Sequence, residues 1–152
     1  EKYPDENEFN KLLTSNGGYS NAYTENEFTN YQFKVNYDKL EIALDMKANL
    51  LHKPILKEEA MMREIQAVDS EFEGNFPMDN VRAELILAES VTDKMHPCAS
   101  FGWGNKKSLT EKGEDSLWQD LKTFFDTQYS AERMYIVVQT MVPDGKDLSE
   151  VK

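Results

Sequence analysis

Apolar residues set the first rhythm of the chain. Between Glu6 and Ser15, Phe9, Leu12 and Leu13 fall at helical spacing, and Gly17-Gly18 then supplies the stop that a helix C-terminus favours. Tyr19 to Thr24 is β-prone, and Tyr31, Phe33 and Val35 alternate with Asn30, Gln32 and Lys34 as in a half-buried strand. With a turn at Glu25-Asn26-Glu27, the two runs predict an antiparallel hairpin. From Asp38, a plausible cap, the period switches to 3.6 through Leu40, Ala43, Leu44, Lys47, Leu50 and Leu51, ending near Pro54. A third helix is predicted from Lys57 to Glu73, stopping around Gly74-Asn75-Phe76-Pro77. Asp79 opens a fourth, with Val81, Leu85 and Ala88 as its buried side.

Val91 to Gly113 reads as a long connection, broken by Pro97, Gly102, Gly104 and Gly113. Glu114 to Tyr129 is amphipathic through Leu117, Leu121, Phe124 and Phe125. Met134 to Val142 reads as a buried strand ended by Pro143-Asp144-Gly145, and Asp147 to Lys152 as the first turns of a further helix. The order αββααααβ, with helices in surplus and strands not alternating with them, predicts an α+β fold. Its two layers are a mainly antiparallel sheet and helices covering one face.

The length of 152 residues suits one domain with a real core. The chain begins at Glu1 rather than Met, so it is read as a single partial domain, 1–152, truncated at its start. A net charge of −11, from 28 acids against 17 bases, argues against nucleic acid, whose phosphates are bound by Lys and Arg. No apolar run approaches the ~18 residues of a membrane span, so no membrane partner is expected. Cys98 is the single cysteine, which excludes an internal disulfide and fits a reduced, cytoplasmic setting.

The third helix carries the arrangement most like a site. Met61, Ile65, Val68 and Phe72 form an apolar stripe, and Ala60, Glu64, Ala67 and Glu71 repeat its rhythm alongside. At about 1.5 Å rise per residue, Glu64 and Glu71 stand roughly 10 Å apart along the axis, too far to ligate one cation together. At most one of them can bind a metal directly. If Glu71 did, Glu64 would more naturally orient another ligand, as carboxylates do for metal-bound histidines. The bland alternative is a solvated acidic face.

Other chemistry is thinly supported. His52 and His96 lie far apart, each beside a proline-containing turn and neither in an i, i+4 pair, whereas a catalytic zinc takes three protein ligands. No serine sits in a strand-to-helix elbow. Cys98 near His96 is adjacency in sequence, which is not the spatial pairing a nucleophilic cysteine needs. Gly102 and Gly104 lack the flanks of a dinucleotide loop and read as a tight turn. Asn21 and Ala22 sit on a hairpin edge that either accepts an extended peptide by strand addition or is an ordinary edge.

Several separated motifs occur in order: Lys2-Tyr3-Pro4-Asp5-Glu6-Asn7-Glu8, Gly17-Gly18-Tyr19-Ser20-Asn21-Ala22, Arg63-Glu64 with Ala67-Val68-Asp69-Ser70-Glu71, His96-Pro97, and Gly102-Trp103-Gly104-Asn105. From about Glu1 to Val138 the chain resembles the N-terminal domain of the insulysin and nardilysin group, the pitrilysin-type inverted zinc proteases. That resemblance implies a zinc metalloendopeptidase acting on peptides, with one Zn2+ ion. Glu71 would be the third zinc ligand, Glu64 the supporting carboxylate, and Asn21-Ala22 the edge that binds substrate backbone. Val81, with Glu84 one turn on, stands where the group carries a large aromatic facing substrate. The group's His-x-x-Glu-His pair of ligands and base, which in relatives lies just before the segment that begins here, is absent from this sequence: either it was truncated or it never existed. The chain alone, without the remaining domains of a parent protease, is then expected to be inactive. A non-catalytic peptide-binding or subunit-interaction domain is the alternative. The protease reading turns on the Glu71 carboxylate facing inward to a cation rather than outward to bulk water.

Overall fold

The computed structural model describes residues 2–91, 93–96, 99 and 102–141. The first helix, α1, spans Glu8–Ser15 and buries Phe9 and Leu13, one turn apart on a single face. Its stop depends on Gly17, whose φ of +68° only glycine adopts cheaply. The Gly18 N–H closes back on the Leu13 carbonyl at 2.8 Å, a Schellman-type end.

The chain then enters a two-stranded antiparallel sheet, β1 (Tyr19–Thr24) and β2 (Thr29–Lys34). A Cβ on Gly18 would stand 1.9 Å from the Lys34 carbonyl oxygen, so the hairpin can close at its base only around a glycine. At the other end the Glu25 N–H donates to the Phe28 carbonyl at 2.8 Å, and the Thr24 and Thr29 hydroxyls face each other at 3.4 Å. Those contacts fix the register.

A 3-10 turn at Tyr37–Lys39 leads into α2, Leu40–His52. Asp38, expected as a cap, makes no capping bond. Its carboxylate pairs with Lys39 at 3.1 Å, while the Lys39 N–H is satisfied by the Asn36 carbonyl at 3.0 Å. The tight turn meets the need a side-chain cap would serve.

Contacts divide the described residues into two units: 2–21, 32–54 and 128–141, and then 22–31 with 55–127. In the first, Phe9, Leu13, Ala43 and Met46 form the core, with Tyr3, Leu12, Phe33 and Val35 packed against it. Phe33 of β2 meets Phe9 edge-on, ring centroids 5.5 Å apart, so helices cover one face of the sheet at its base. Burying a side chain such as Leu13 contributes about 1.5–3 kcal/mol. Lys47 lies along this core with its ammonium 5.4 Å from the Phe9 ring centroid, and burial lowers its pKa. The N-terminal segment is tied down by Asp45, which accepts from Lys2 at 2.6 Å and from the Tyr3 hydroxyl.

The second unit holds the hairpin tip and four helices: α3 (Glu58–Asn75), α4 (Asp79–Ser90), α5 (Lys106–Leu109) and α6 (Glu114–Gln128). Ile65 of α3 and Val81 and Ala88 of α4 are buried, as their spacing implies. Leu117, Leu121 and Phe125 of α6 are half-buried, and Phe124 is exposed. The fold is therefore α+β, with six helices and one two-stranded sheet among the described residues.

Two further expectations fail. Residues 91–113 are not uniformly irregular, because α5 interrupts them. Residues 134–141 form no ladder, and Tyr135, Ile136 and Val137 are exposed. β-propensity supplies a strand's side chains but not its partner, and β1 and β2 pair only with each other. Val142, Pro143-Asp144-Gly145 and 147–152 lie outside the described residues. Among the described residues no helix is long and apolar enough to cross a membrane.

Candidate functional site

Helix α3 is the scaffold of the candidate site. Glu58 and Glu59 in its first turn complement the positive end of the helix dipole. At the other end the Asn75 side chain donates to the Glu71 carbonyl at 2.8 Å, and Pro77 prevents continuation. Its inner stripe runs through Met61, Ile65, Val68 and Phe72, with Ile65 buried and the others half-buried.

Glu64 and Glu71 lie on one stripe, roughly 100–120° around the axis from Ile65. Both are exposed. Their carboxylates make no hydrogen bond or ion pair among the described residues, so each can offer its oxygens to an incoming donor or cation. Their stripe falls outside the buried face of α3, so the Glu71 carboxylate is open to groups that lie beyond the described residues. Among the described residues no three His, Cys, Asp or Glu side chains gather to hold a metal ion. Zinc takes four ligands, or three protein ligands and a water. The donor chemistry of Glu71 fits one such position, and the rest would have to come from outside these residues.

Asp69 belongs to the same helix but to a different face. It is half-buried, roughly 160° around the axis from Glu71, and its Oδ1 accepts the Lys106 backbone N–H of α5 at 2.8 Å. The rest of the α5 start is closed by Asn105, whose side chain accepts the Ser108 N–H at 2.8 Å while the Ser108 hydroxyl accepts the Asn105 N–H at 3.1 Å. Leu109 lies 3.6 Å from where a Cβ on Gly104 would stand, so the Gly102–Gly104 turn folds onto α5. This link is absent from the sequence reading above. Two signals for it exist: a carboxylate among the apolar positions 65, 68 and 72, and a capping pair at Asn105 and Ser108.

Asn21 and Ala22 are exposed in β1, like every other residue of that strand. In a two-stranded sheet each strand has one free edge, so β1 has backbone groups open to a further strand. His52 ends α2, exposed, and His96 sits in a bend, also exposed. Cys98 lies outside the described residues. Val81 is buried in α4 and so lines no surface, whereas Glu84 is exposed.

Comparison with known proteins agrees with these elements. Residues 1–95 match the insulinase family, peptidase family M16. Insulin-degrading enzyme-like 2 of Arabidopsis thaliana is 40% identical over 142 residues, covering 91% of this chain and 14% of its own length. A nardilysin-like protein of the same plant is 40% identical over 140 residues, 90% of this chain and 14% of its own. The Schizosaccharomyces pombe protein mug138, named as a zinc protease, is 39% identical over 140 residues, again 90% and 14%. The crystal structure of pitrilysin superposes with a TM-score of 0.75 at 30% identity, covering 86% of this chain and 14% of that one. The chain belongs to the insulinase family of peptidases. It spans about 14% of the length of these relatives.

Proposed function

We propose that this chain is the part of a zinc metalloendopeptidase that supplies the glutamate ligand, Glu71, and the strand edge at Asn21-Ala22 that holds substrate backbone. Glu64 orients a neighbouring ligand by hydrogen bonding, since one turn of separation after another puts it too far from Glu71 to share an ion. The observation that carries the reading is the pair of uncommitted carboxylates on one exposed stripe of α3, in a chain of the insulinase family.

Bound zinc supplies Lewis-acid polarisation of a peptide carbonyl and a water of lowered pKa. The residues of this chain bind and orient. Glu71 offers a carboxylate oxygen on a rigid helix, and β1 offers backbone N–H and C=O groups to a peptide lying antiparallel or parallel to it. The His-x-x-Glu-His residues are absent from this sequence and would have to come from outside this chain, so the chain alone is expected to cleave nothing.

Zinc content of the purified parent protease tests the reading. Glu71→Gln keeps the size of the side chain and removes its charge, and is expected to lose most of the metal and the peptidase activity together. Full zinc occupancy in Glu71→Gln excludes the ligand role. Peptide binding that is indifferent to zinc removal and to Glu71→Gln points to the non-catalytic binding domain instead.

A further inference from the structure

We infer that Asp69 is a positioning residue: by accepting the Lys106 N–H it latches α5 to the inner face of α3 and fixes the rotation of that helix, and hence the direction of Glu64 and Glu71. The inference rests on the ligand role proposed for Glu71.

The geometry carries it in three steps. Asp69 sits within the half-buried stripe of α3, and its bond to Lys106, at 2.8 Å, joins two elements 37 residues apart. A carboxylate accepting a backbone N–H at a helix start is a charge-assisted bond, shorter and stronger than a neutral one. The partner is itself capped, because Asn105 and Ser108 close their reciprocal box around the first turn of α5.

Next comes the lever. Asp69 and Glu71 lie on nearly opposite sides of α3, so the latch holds the back of the helix while the carboxylate stripe faces away. With side chains reaching about 5–6 Å from the axis, a 20° rotation of α3 carries the Glu71 carboxylate by about 2 Å. Metal–ligand distances tolerate about 0.2 Å, and a site holds only within roughly 10–20° of its productive geometry. Along the apolar stripe only Ile65 is buried, with Met61, Val68 and Phe72 half-buried, so packing alone constrains the rotation of α3 loosely. A directed hydrogen bond at the flank supplies that missing constraint.

Finally, the bond can be removed from either side. Asp69→Ala deletes the acceptor. Lys106→Pro deletes the donor without touching α3: Lys106 is the first residue of α5, where proline is tolerated, and Asn105 already has the extended backbone a following proline requires (φ −136°, ψ 168°). Asp69→Asn keeps an amide oxygen able to accept.

The experiment uses the intact parent protease and measures zinc affinity by chelator competition, together with hydrogen exchange at the Lys106 amide in Asp69→Ala and Asp69→Asn. Asp69→Ala and Lys106→Pro are each expected to weaken zinc binding by about 10–100-fold, the usual cost of losing a group that supports a ligand. The double variant is expected to be no weaker than either single one, because both remove the same bond. Asp69→Ala speeds exchange at Lys106, and Asp69→Asn stays close to the unsubstituted protein in both measurements. Zinc affinity unchanged in Lys106→Pro overturns the inference, whether or not Asp69→Ala folds. If Glu71→Gln loses zinc while both latch variants retain it, the latch alone has failed. If Glu71→Gln also retains it, the ligand role has failed and takes the latch with it.

Discussion

Asp45 gathers two donors from the N-terminal segment onto one carboxylate of α2. The Lys2 ammonium first, and then the Tyr3 hydroxyl, hold its carboxyl below the usual carboxylate range, while the same bond raises the Lys2 and Tyr3 pKa values. A carboxyl whose pKa is lower folded than unfolded adds stability above its unfolded value, and that stability is lost as pH falls through the folded one. Urea unfolding of the chain is expected to show a shallower loss of stability between about pH 5 and pH 2 in Asp45→Asn than in the unsubstituted chain. Asp5 shares the direction through Lys11 and the Asn7 N–H, so some acid-side slope survives the substitution. At this scale the sequence was partly readable. Spacing put Glu64 and Glu71 on one stripe, and they are there. It could not reveal that Asp69 has a partner, since periodicity reports which face a residue occupies and not what stands opposite it.

Among the elements, the hairpin is the most tightly specified, because glycine is required at both of its entry positions for different reasons. Gly17 needs its positive φ, while Gly18 needs the absence of a Cβ beside the Lys34 carbonyl. Gly18→Ala is expected to destabilise the chain by about 1–3 kcal/mol, the range for forcing an atom into filled space, measured as a shift in the urea midpoint. Helices α1 to α4 and α6 were legible because each carries an apolar stripe of its own and a stop of Gly or Pro, or a capping residue. The remaining errors have a common origin. The single turn of α5 is too short to show a period and announces itself only through Asn105 and Ser108. Residues 134–141 have strand-forming side chains, yet strand formation depends on a neighbour that no local pattern reports. The Asp38 cap failed in the same way, since the preceding turn satisfied the N–H first.

For the molecule as a whole, a surplus of 11 negative charges makes copies of the chain repel one another at neutral pH. The chain belongs to the insulinase family and spans about 14% of the length of its relatives, so the ligand role proposed for Glu71 needs histidines that this sequence does not contain. The run Tyr135-Ile136-Val137-Val138 has another consequence. Its members are 100%, 81%, 94% and 45% exposed, they are β-branched or aromatic, and none carries a charge or is proline. Such a run shares the high β-propensity and lack of charge of aggregation-prone segments, though it is shorter than the roughly six or seven residues of a steric zipper. Net repulsion weakens as salt is added, because screening shortens its reach. Light scattering of the chain is therefore expected to rise with ionic strength, and Val137→Lys to suppress that rise by placing a gatekeeper charge in the run. With their backbone groups outside any ladder, these four residues are the stretch expected to pair first with an added strand once repulsion is screened.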